Sequence, residues 1–356
     1  MHIAHVFPSL SWGGAEIYSL ELATRQMQDG LSVSIWGIPG SKLLEEAVKR
    51  GLKTRTEKVS KRLDLMGLPR LARYIRNEKI THLHLHWSGG IWAFFGLKAL
   101  AKGRIVYQNH LWISHFKIDP FHWAANSQID RLIVAGPRAE ENALKMWKFP
   151  SNKIDVIPYG IDLTRANGLD TKTEPTNLTF GLFARLDRQK GTREFLHALF
   201  SIVEDRNIHA VVVGDPTLNE PDAVAYSHEV EELIQGSRFR ERIVRHTSTP
   251  DYLRLLAKCD VLVVPSYHES YSLLILDAFM LGKPVLATDS GGTPDLVSPE
   301  RGWLVPPRDA HALAEAMKEI SAAGSLEIER RGRNARAYVE ANHAFATILS
   351  AFKKIY

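Results

Sequence analysis

Two cations placed five residues apart offer the first chemistry in this chain. Arg185 ends an apolar run, and Lys190 stands just before a helical pattern that begins near Thr192. Fixed positive charges at a strand end, next to the unpaired N–H groups of a helix start, suit a diphosphate. The alternative is a pair of solvent-exposed cations in a strand-to-helix loop. The pair therefore predicts a site for a phosphorylated ligand.

Two carboxylates follow a second apolar run, at residues 261–264. Glu269 lies in the loop after this run, and Asp277 lies about two turns further along, within a helical pattern. That pattern is apolar nearly all round, which predicts a buried, rigid helix whose first N–H groups can bind an anion. One carboxylate can accept hydrogen bonds from sugar hydroxyls and the other can bind a ribose diol; the alternative is a helix cap with an incidental aspartate. The ligand-binding candidates beside Glu269 are Ser270, Tyr271, Ser272 and Asp277.

A third candidate is the glycine pair Gly13 and Gly14, which follows the first apolar run. Paired glycines let a loop bring its N–H groups close to a ligand, because no Cβ stands in the way. The spacing is not G-x-G-x-x-G, so the fingerprint of a dinucleotide site is absent. The pair indicates a ligand-binding loop and nothing narrower.

Histidines stand at the ends of two further apolar runs. His110 closes the run that begins at residue 104, so it is expected at a strand's carboxyl end; the alternative is a structural histidine bonded to a backbone carbonyl. His82, His84 and His86 alternate with leucines and so share one face, which could bind zinc. No third-ligand pattern follows in the sequence, and no two aspartates are separated by a single residue. We therefore expect no metal site.

Short apolar runs alternate with longer helical patterns along the whole chain and must position these side chains. Helical patterns such as 16–28 and 192–204 follow strands, and this alternation predicts parallel sheets covered by helices on both faces. The predicted strands are 2–7, 31–36, 80–86, 104–108, 131–135 and 154–157, then 178–184, 209–213, 242–246, 261–264, 284–288 and 302–305.

The predicted strands form two sets. A polar stretch at 161–177 separates them, and its composition predicts a linker. We expect two doubly wound α/β domains, residues 1–163 and 164–335, and a helical tail, residues 336–356, that packs back on the first domain. Ligands in open α/β sheets bind beyond the carboxyl ends of the strands. A cleft between two facing Rossmann-like domains is therefore the expected site.

The composition and the apolar segments argue against a secreted or membrane-spanning protein. The 356 residues are 45% hydrophobic and 24% charged, and the single cysteine, Cys259, fits a reducing compartment. The first residues read as a strand rather than a secretory signal, and no segment offers the roughly 18 apolar residues of a spanning helix. We expect a cytoplasmic protein, at most peripheral on the inner face of a membrane.

The net charge of +5 is unevenly distributed. Residues 1–165 carry 23 Lys and Arg against 14 Asp and Glu, whereas the remainder carries 22 against 26. The densest basic stretch, Lys49 to Lys79, holds eleven basic residues against three acidic ones. It is either a solvated helix face or a patch that binds anionic lipid, where each basic residue contributes about 1 kcal/mol. We expect no nucleic-acid partner.

Taken in order along the chain, these motifs resemble the retaining glycosyltransferases of family four, which have the B-type fold of two Rossmann-like domains. Arg185 and Lys190 match the diphosphate-binding pair of that family. The other matching segments are Gly13–Glu16, Val156–Asp162, Val213–Asp215, Glu269–Asp277 (the E-x7-E motif) and Gly291–Asp295. Asp277 and Asp295 each replace a glutamate of the family pattern, and Ser270 and Ser272 replace its glycines.

The resemblance implies transfer of a sugar from a nucleotide diphosphate-sugar to a glycan or lipid-linked acceptor, with retention of anomeric configuration. The expected context is polysaccharide, lipopolysaccharide or glycolipid assembly, without a cofactor. In the family's pattern Arg185 and Lys190 bind the diphosphate, Glu269 orients sugar hydroxyls and His110 contacts the donor sugar. Two alternatives stay open: a sugar-nucleotide epimerase, which needs no acceptor, and a non-catalytic binding or scaffold subunit.

Overall fold

The structure, a computed structural model, describes residues 1–56, 68–86, 98, 103–170, 177–202, 207–217 and 220–356. The chain forms two compact units. The first contains Met1–Gly160 and Phe345–Tyr356, and the second contains Ile161–Ala344.

A seven-stranded parallel sheet forms the centre of the first unit, in the order β3-β2-β1-β4-β5-β6-β7. Its inner strands are buried along nearly their whole length, as expected for a parallel sheet covered on both faces. The strands are β1 (His2–Val6), β2 (Ser32–Gly37), β3 (Lys53–Thr56), β4 (His82–Leu85), β5 (Arg104–Gln108), β6 (Arg131–Val134) and β7 (Ile154–Val156).

Helices follow strands β1, β2, β3, β5 and β6 of the first unit. They are α1 (Gly14–Gln28), α2 (Lys42–Lys49), α3 (Leu68–Asn77), α4 (Pro120–Ser127) and α5 (Pro137–Met146). The last described helix, α12 (Phe345–Lys353), belongs to the same unit. It buries Phe345, Ile348 and Phe352.

The second unit repeats this arrangement with six parallel strands, in the order β10-β9-β8-β11-β12-β13. The strands are β8 (Leu178–Phe183), β9 (Ile208–Val213), β10 (Ile243–His246), β11 (Val261–Val264), β12 (Val285–Thr288) and β13 (Gly302–Val305). The helices are α6 (Thr192–Ile202), α7 (Pro221–Gln235), α8 (Tyr252–Ala257), α9 (Leu273–Met280), α10 (Thr293–Leu296) and α11 (Ala310–Asn342). The doubly wound class predicted from the sequence is confirmed for both units.

Each sheet reverses its strand order at one point, between β1 and β4 in the first unit and between β8 and β11 in the second. Loops leaving neighbouring strands at such a point diverge to opposite faces, which opens a crevice where ligands of doubly wound folds bind. The candidate residues therefore have a defined place in each sheet.

Three details differ from the sequence prediction. Strand β3 was not predicted, because Lys53–Thr56 is a polar edge strand without an apolar pattern. Residues 336–342 continue α11 in the second unit, so only 345–356 join the first. The stretch 161–170 contains a 3-10 turn, Leu163–Ala166, and belongs to the second unit.

Among the described residues, no helix is both long enough and apolar enough to cross a membrane.

Candidate functional site

The loop after β8 carries both predicted cations of the second unit. Arg185 extends from this loop with a side chain 62% exposed, and its Nη1 donates to the Thr217 hydroxyl at 3.2 Å. The chain then forms a 3-10 turn, Arg188–Lys190, and enters α6 through Gly191. Arg185 is thus accessible to an anion, while the turn fixes the backbone of Lys190.

Lys190 and Glu269 meet at the point where the strand order reverses. Lys190 follows β8 and Glu269 follows β11, and these two strands pair side by side. The Lys190 Nζ donates to Glu269 Oε2 at 3.0 Å, and both side chains are more than three-quarters buried. The ion pair therefore places one positive and one negative group together at the expected ligand crevice.

Close backbone packing holds the loops around this pair, and glycines make it possible. A Cβ on Gly191, whose φ is +70°, would lie 2.2 Å from the Pro265 carbonyl oxygen. A Cβ on Gly292 would lie 2.0 Å from the Ser270 carbonyl oxygen, and the Gly292 N–H donates to the Glu269 carbonyl at 3.0 Å. The loop that contains Gly292 and the loop that contains Glu269 are therefore packed tightly against each other.

The residues after Glu269 lead directly into α9. Ser272 is the N-cap residue of this helix, and its side chain makes no capping hydrogen bond. Tyr271 is buried, with its hydroxyl 3.5 Å from His343 Nε2. The start of α9 thus lies beside Ser270, Tyr271 and Ser272, as the sequence predicts, on a helix that is buried along most of its length.

Asp277 lies on α9 and is engaged by two side chains of the same unit. Arg165 Nη1 donates to Asp277 Oδ1 at 2.8 Å, and the Tyr252 hydroxyl donates to Oδ2 at 2.5 Å. Arg165 Nη2 also donates to the Tyr252 oxygen at 2.8 Å, which closes a triangle. Burial raises the pKa of Asp277, while Arg165 and Tyr252 oppose that rise. This carboxylate therefore already has an internal ion pair.

The glycine pair of the first unit starts α1. Gly13 is the N-cap residue, and its N–H donates to Glu16 Oε2 at 3.0 Å. The Ser9 hydroxyl donates to the other oxygen of Glu16 at 2.8 Å. Gly14 is exposed at the first position of the helix. The buried Glu16 carboxylate thus fixes the shape of the loop at the carboxyl end of β1.

His110 follows β5 and has both ring nitrogens in hydrogen bonds within the first unit. Its Nε2 lies 2.9 Å from His86 Nδ1, and its Nδ1 lies 2.7 Å from the Tyr159 hydroxyl. Burial lowers the pKa of His110 to about 3. The imidazole is therefore neutral at physiological pH and held in one orientation.

The best metal-ligand arrangement among the described residues is His5, His84 and His86, whose ligand atoms lie within 4.8 Å of one another. His5 comes from β1, directly opposite His84 on β4, so sequence spacing did not reveal it. His5 Nδ1 and His86 Nε2 already lie 2.8 Å apart as hydrogen-bond partners. Two nitrogens this close share one hydrogen bond, whereas two imidazole ligands of one tetrahedral zinc ion, each about 2.0–2.1 Å from it, lie roughly 3.3 Å apart. This geometry favours a hydrogen-bonded cluster over metal coordination.

The predicted site residues thus form two groups, one in each unit. The second unit brings together Lys190 and Glu269, with Arg185 on the loop from the same strand end. The first unit places Gly13, Gly14 and His110 after strands β1 and β5. Sequence reasoning missed Arg165, Tyr252, His5 and Gln26, which reach these residues from distant parts of the chain.

Family models match both halves of the chain. The model described as Glycosyltransferase Family 4 matches residues 12–165. The model described as Glycosyl transferases group 1 matches residues 177–322. The second match lies wholly within the second unit, and the first lies within the first unit except for its last residues, 161–165. Each match includes the candidate residues of its unit.

Curated relatives match over shorter stretches. The lipopolysaccharide core biosynthesis mannosyltransferase LpsB of Rhizobium meliloti is 32% identical over 176 residues, which are 45% of this chain and 48% of LpsB. The putative teichuronic acid biosynthesis glycosyltransferase TuaC of Bacillus subtilis is 29% identical over 195 residues, 52% of this chain and 45% of TuaC. The chain spans about half the length of the curated relatives it matches.

Solved structures share the fold over the whole chain. A glycosyltransferase from Rickettsia africae has a TM-score of 0.89 at 19% identity, covering 100% of this chain and 97% of its own. HepE of Anabaena, solved in complex with UDP, has a TM-score of 0.83 at 19% identity, covering 100% of this chain and 99% of its own. With a glycosyltransferase model matched in each half and a shared fold throughout, this protein is a family-4-like glycosyltransferase with the B-type fold of two Rossmann-like domains.

Proposed function

We propose that this protein transfers a sugar from a nucleotide diphosphate-sugar to a glycan or lipid-linked acceptor, in the synthesis of a cell-envelope polysaccharide or lipopolysaccharide. One observation carries the proposal: the Lys190–Glu269 pair lies where the strand order of the second sheet reverses, with Arg185 on the same loop. A cation for the diphosphate and a carboxylate for sugar hydroxyls are thereby side by side. The relatives LpsB and TuaC, by their descriptions, act in such pathways.

The chemistry proposed is a displacement at the anomeric carbon. The bond from that carbon to the diphosphate oxygen breaks, the diphosphate keeps the electron pair, and a new bond forms to the acceptor hydroxyl oxygen. Negative charge grows on the diphosphate as it leaves, and preorganised cations stabilise charge most where it develops. Arg185 and Lys190 supply these cations, without a divalent metal.

Retention of configuration is part of the proposal, and it rests on the family resemblance. In this mechanism no side chain of the protein forms a bond to the sugar. The acceptor hydroxyl gives its proton to an oxygen of the leaving diphosphate. Glu269 orients sugar hydroxyls, and His110 supports the sugar as a neutral imidazole.

The nature of the donor is tested first by ligand binding. UDP, GDP and ADP are compared by thermal shift and calorimetry, because a ligand that binds the folded state raises its melting temperature by mass action. UDP is the first choice, since the similar structure of HepE was solved with it. Failure of all three to bind would refute a nucleotide-sugar donor and favour a non-catalytic subunit.

The reaction is then tested with the donor that binds. Incubation with donor alone distinguishes transfer from epimerisation, since an epimerase converts the donor without an acceptor. Product linkage, determined by NMR of the anomeric proton, tests retention. Activity that survives treatment with a chelator of divalent metals supports the metal-free mechanism, and its loss, restored by added metal, would contradict it.

A further inference from the structure

A chain of hydrogen bonds runs through the buried core of the first unit and ends at His110. Gln26 Oε1 accepts from His5 Nε2 at 2.7 Å, and His5 Nδ1 lies 2.8 Å from His86 Nε2. His86 Nδ1 lies 2.9 Å from His110 Nε2, and His110 Nδ1 lies 2.7 Å from the Tyr159 hydroxyl. All five side chains belong to residues at most 7% exposed. Water therefore has little access to these bonds.

The bonds in this chain cannot be oriented independently. The three imidazoles are neutral, because burial lowers the pKa of His5 to about 4, of His110 to about 3, and of His86 well below its usual value. A neutral imidazole has one N–H donor and one acceptor nitrogen. If one ring donates from Nε2, its Nδ1 must accept, and the next ring must donate to it. The first bond therefore determines all the others.

The side-chain amide of Gln26 sets that first bond. An amide oxygen only accepts, so His5 must carry its proton on Nε2. His86 then donates from Nε2 to His5, His110 donates from Nε2 to His86, and the Tyr159 hydroxyl donates to His110 Nδ1. The same argument, taken from Gln26 outward, assigns each of the three rings as the Nε2–H tautomer.

A second branch leaves the other end of the same amide. Gln26 Nε2 donates to the Tyr356 hydroxyl at 3.2 Å, and that hydroxyl lies 2.6 Å from His84 Nδ1. Because the tyrosine oxygen accepts from Gln26, its own proton is available for His84 Nδ1. His84 is then an Nε2–H tautomer too. One amide thus orients both branches.

We propose that Gln26 is a positioning residue, which fixes His110 as the Nε2–H tautomer through His5 and His86. Gln26 is well placed for this role, since it lies on α1 and is 1% exposed, whereas Gln28 on the same helix is exposed. His110 thereby presents a single charge distribution to whatever lies beside it. The consequence for catalysis rests on the proposed function; the tautomer does not.

The tautomer is measured by NMR of protein labelled with ¹⁵N in histidine, which distinguishes protonated from unprotonated ring nitrogens. We expect His110, His86 and His5 in the wild type each to carry the proton on Nε2. Gln26→Met removes the acceptor at similar size, and His110 should become a mixture of tautomers. Gln26→Glu keeps an acceptor oxygen and should restore a single one. Gln28→Met is the matched control and should leave the spectrum unchanged.

Three results would overturn the proposal. They are a wild-type His110 protonated on Nδ1, a wild-type mixture of tautomers, and one equivalent of tightly bound metal on His5 and His86 in the purified protein. The wild-type measurement decides even if Gln26→Met fails to fold. Where transfer is measurable, Gln26→Met should lower kcat several-fold at unchanged KM for the donor, and Gln26→Glu should recover most of it. If no nucleotide binds, the proposed function fails while the tautomer assignment still stands or falls by NMR.

Discussion

The side chains of Lys190 and Glu269 form an ion pair, with Nζ 3.0 Å from Oε2, although 79 residues separate them in sequence. Their loops leave neighbouring strands, β8 and β11, and a third loop is fixed to them through the Gly292 N–H. Each side chain limits the rotamers of the other. A ligand that enters this crevice therefore meets groups whose positions are already set, which lowers the entropy cost of binding.

Replacement of Lys190 tests the diphosphate site. A hydrogen bond to a charged group contributes about 1.5–3 kcal/mol, so Lys190→Ala should weaken binding of the preferred nucleotide diphosphate by on the order of tenfold to a hundredfold. Glu269→Gln should affect this affinity much less, because a carboxylate makes no favourable contact with a diphosphate. Calorimetric titration of each variant measures the two effects.

The matched control for Lys190 is Arg188, which lies in the same 3-10 turn. Its guanidinium pairs with Glu229 on the surface and is half exposed. Arg188→Ala removes the same charge from the same turn, so it should leave nucleotide affinity within about twofold of wild type. If Arg188→Ala and Lys190→Ala lost the same amount of nucleotide affinity, only the total positive charge of the turn would matter, and Lys190 would have no specific contact with the diphosphate.

Gly292 is the second position to test, because its lack of a side chain permits the close contact with the Glu269 loop. Gly292→Ala would place a Cβ 2.0 Å from the Ser270 carbonyl oxygen, so one of the two loops must move. We expect a loss of about 1–3 kcal/mol in stability, typical of overpacking, and at least a tenfold loss of nucleotide affinity. Gly103→Ala, where the nearest atom of the described residues, the Thr81 carbonyl oxygen, is 3.7 Å from the Cβ, is the control and should change neither quantity.

Asp277 allows a direct choice between a structural and a ligand-binding role. Because Arg165 and Tyr252 both bond to its carboxylate, Asp277→Ala should lower the free energy of unfolding by on the order of 2 kcal/mol. Glu241→Ala, at a carboxylate 86% exposed, should change it by no more than about 0.5 kcal/mol. Urea unfolding gives both values. A variant that keeps its stability but loses nucleotide affinity would instead support the ribose contact expected from the family pattern.

The sequence predicted the two sheets well because both carry the strongest local signal, short buried apolar strands followed by helices. It failed at β3, since Lys53–Thr56 is stabilised by pairing with β2 rather than by burial of an apolar face. Of the thirteen strands in the described residues, twelve have an apolar pattern that identifies them. The edge strand is recognisable only once its neighbour is known.

The candidate site was predictable where a residue's place follows from its strand. Lys190 and Glu269 each follow an apolar run, and the topology of a parallel sheet brings such loops to one edge. Arg165 and Gln26 were not predictable, because each acts on a partner far away in sequence, Asp277 and His5 respectively. No spacing rule connects such pairs.

The described part of the basic stretch Lys49–Lys79 gives a test of membrane binding. Arg70, Arg73 and Arg76 are exposed on α3, while Leu68, Ala72 and Ile75 are buried, so the helix presents a cationic face. The residues between β3 and α3, including Lys58, Lys61 and Arg62, lie outside the described part of the chain. If the face binds anionic lipid, replacing Arg70 and Arg73 by serine should weaken vesicle binding by about 2 kcal/mol, on the order of thirtyfold.

Sedimentation with vesicles of anionic and of neutral lipid measures this effect. Arg330 and Arg333 in the second unit are paired with nearby glutamates, and their replacement by serine is the control for loss of two charges. Equal binding of the wild type to both kinds of vesicle, or binding to neither, would exclude an electrostatic membrane surface.

The buried histidines of the first unit predict a loss of stability in acid. Burial holds the pKa of His5 at about 4 and that of His110 at about 3, whereas both titrate near 6.5 in the unfolded chain. Below about pH 6.5 the unfolded state therefore binds protons that the folded state does not. Stability is fully present above that pH and falls as pH drops toward about 4, by about 1.4 kcal/mol per pH unit for each histidine.

Urea unfolding at a series of pH values between about 7.5 and 5 measures this slope. Replacement of one buried histidine, as in His110→Gln, should reduce the slope by the contribution of one group, even if the variant is less stable throughout. His228→Gln, at an exposed histidine of the second unit, should leave the slope unchanged. If His110→Gln retained the full wild-type slope, the imidazole would have to be protonated in the folded protein, and the neutral hydrogen-bonded chain from Gln26 to Tyr159 would be wrong.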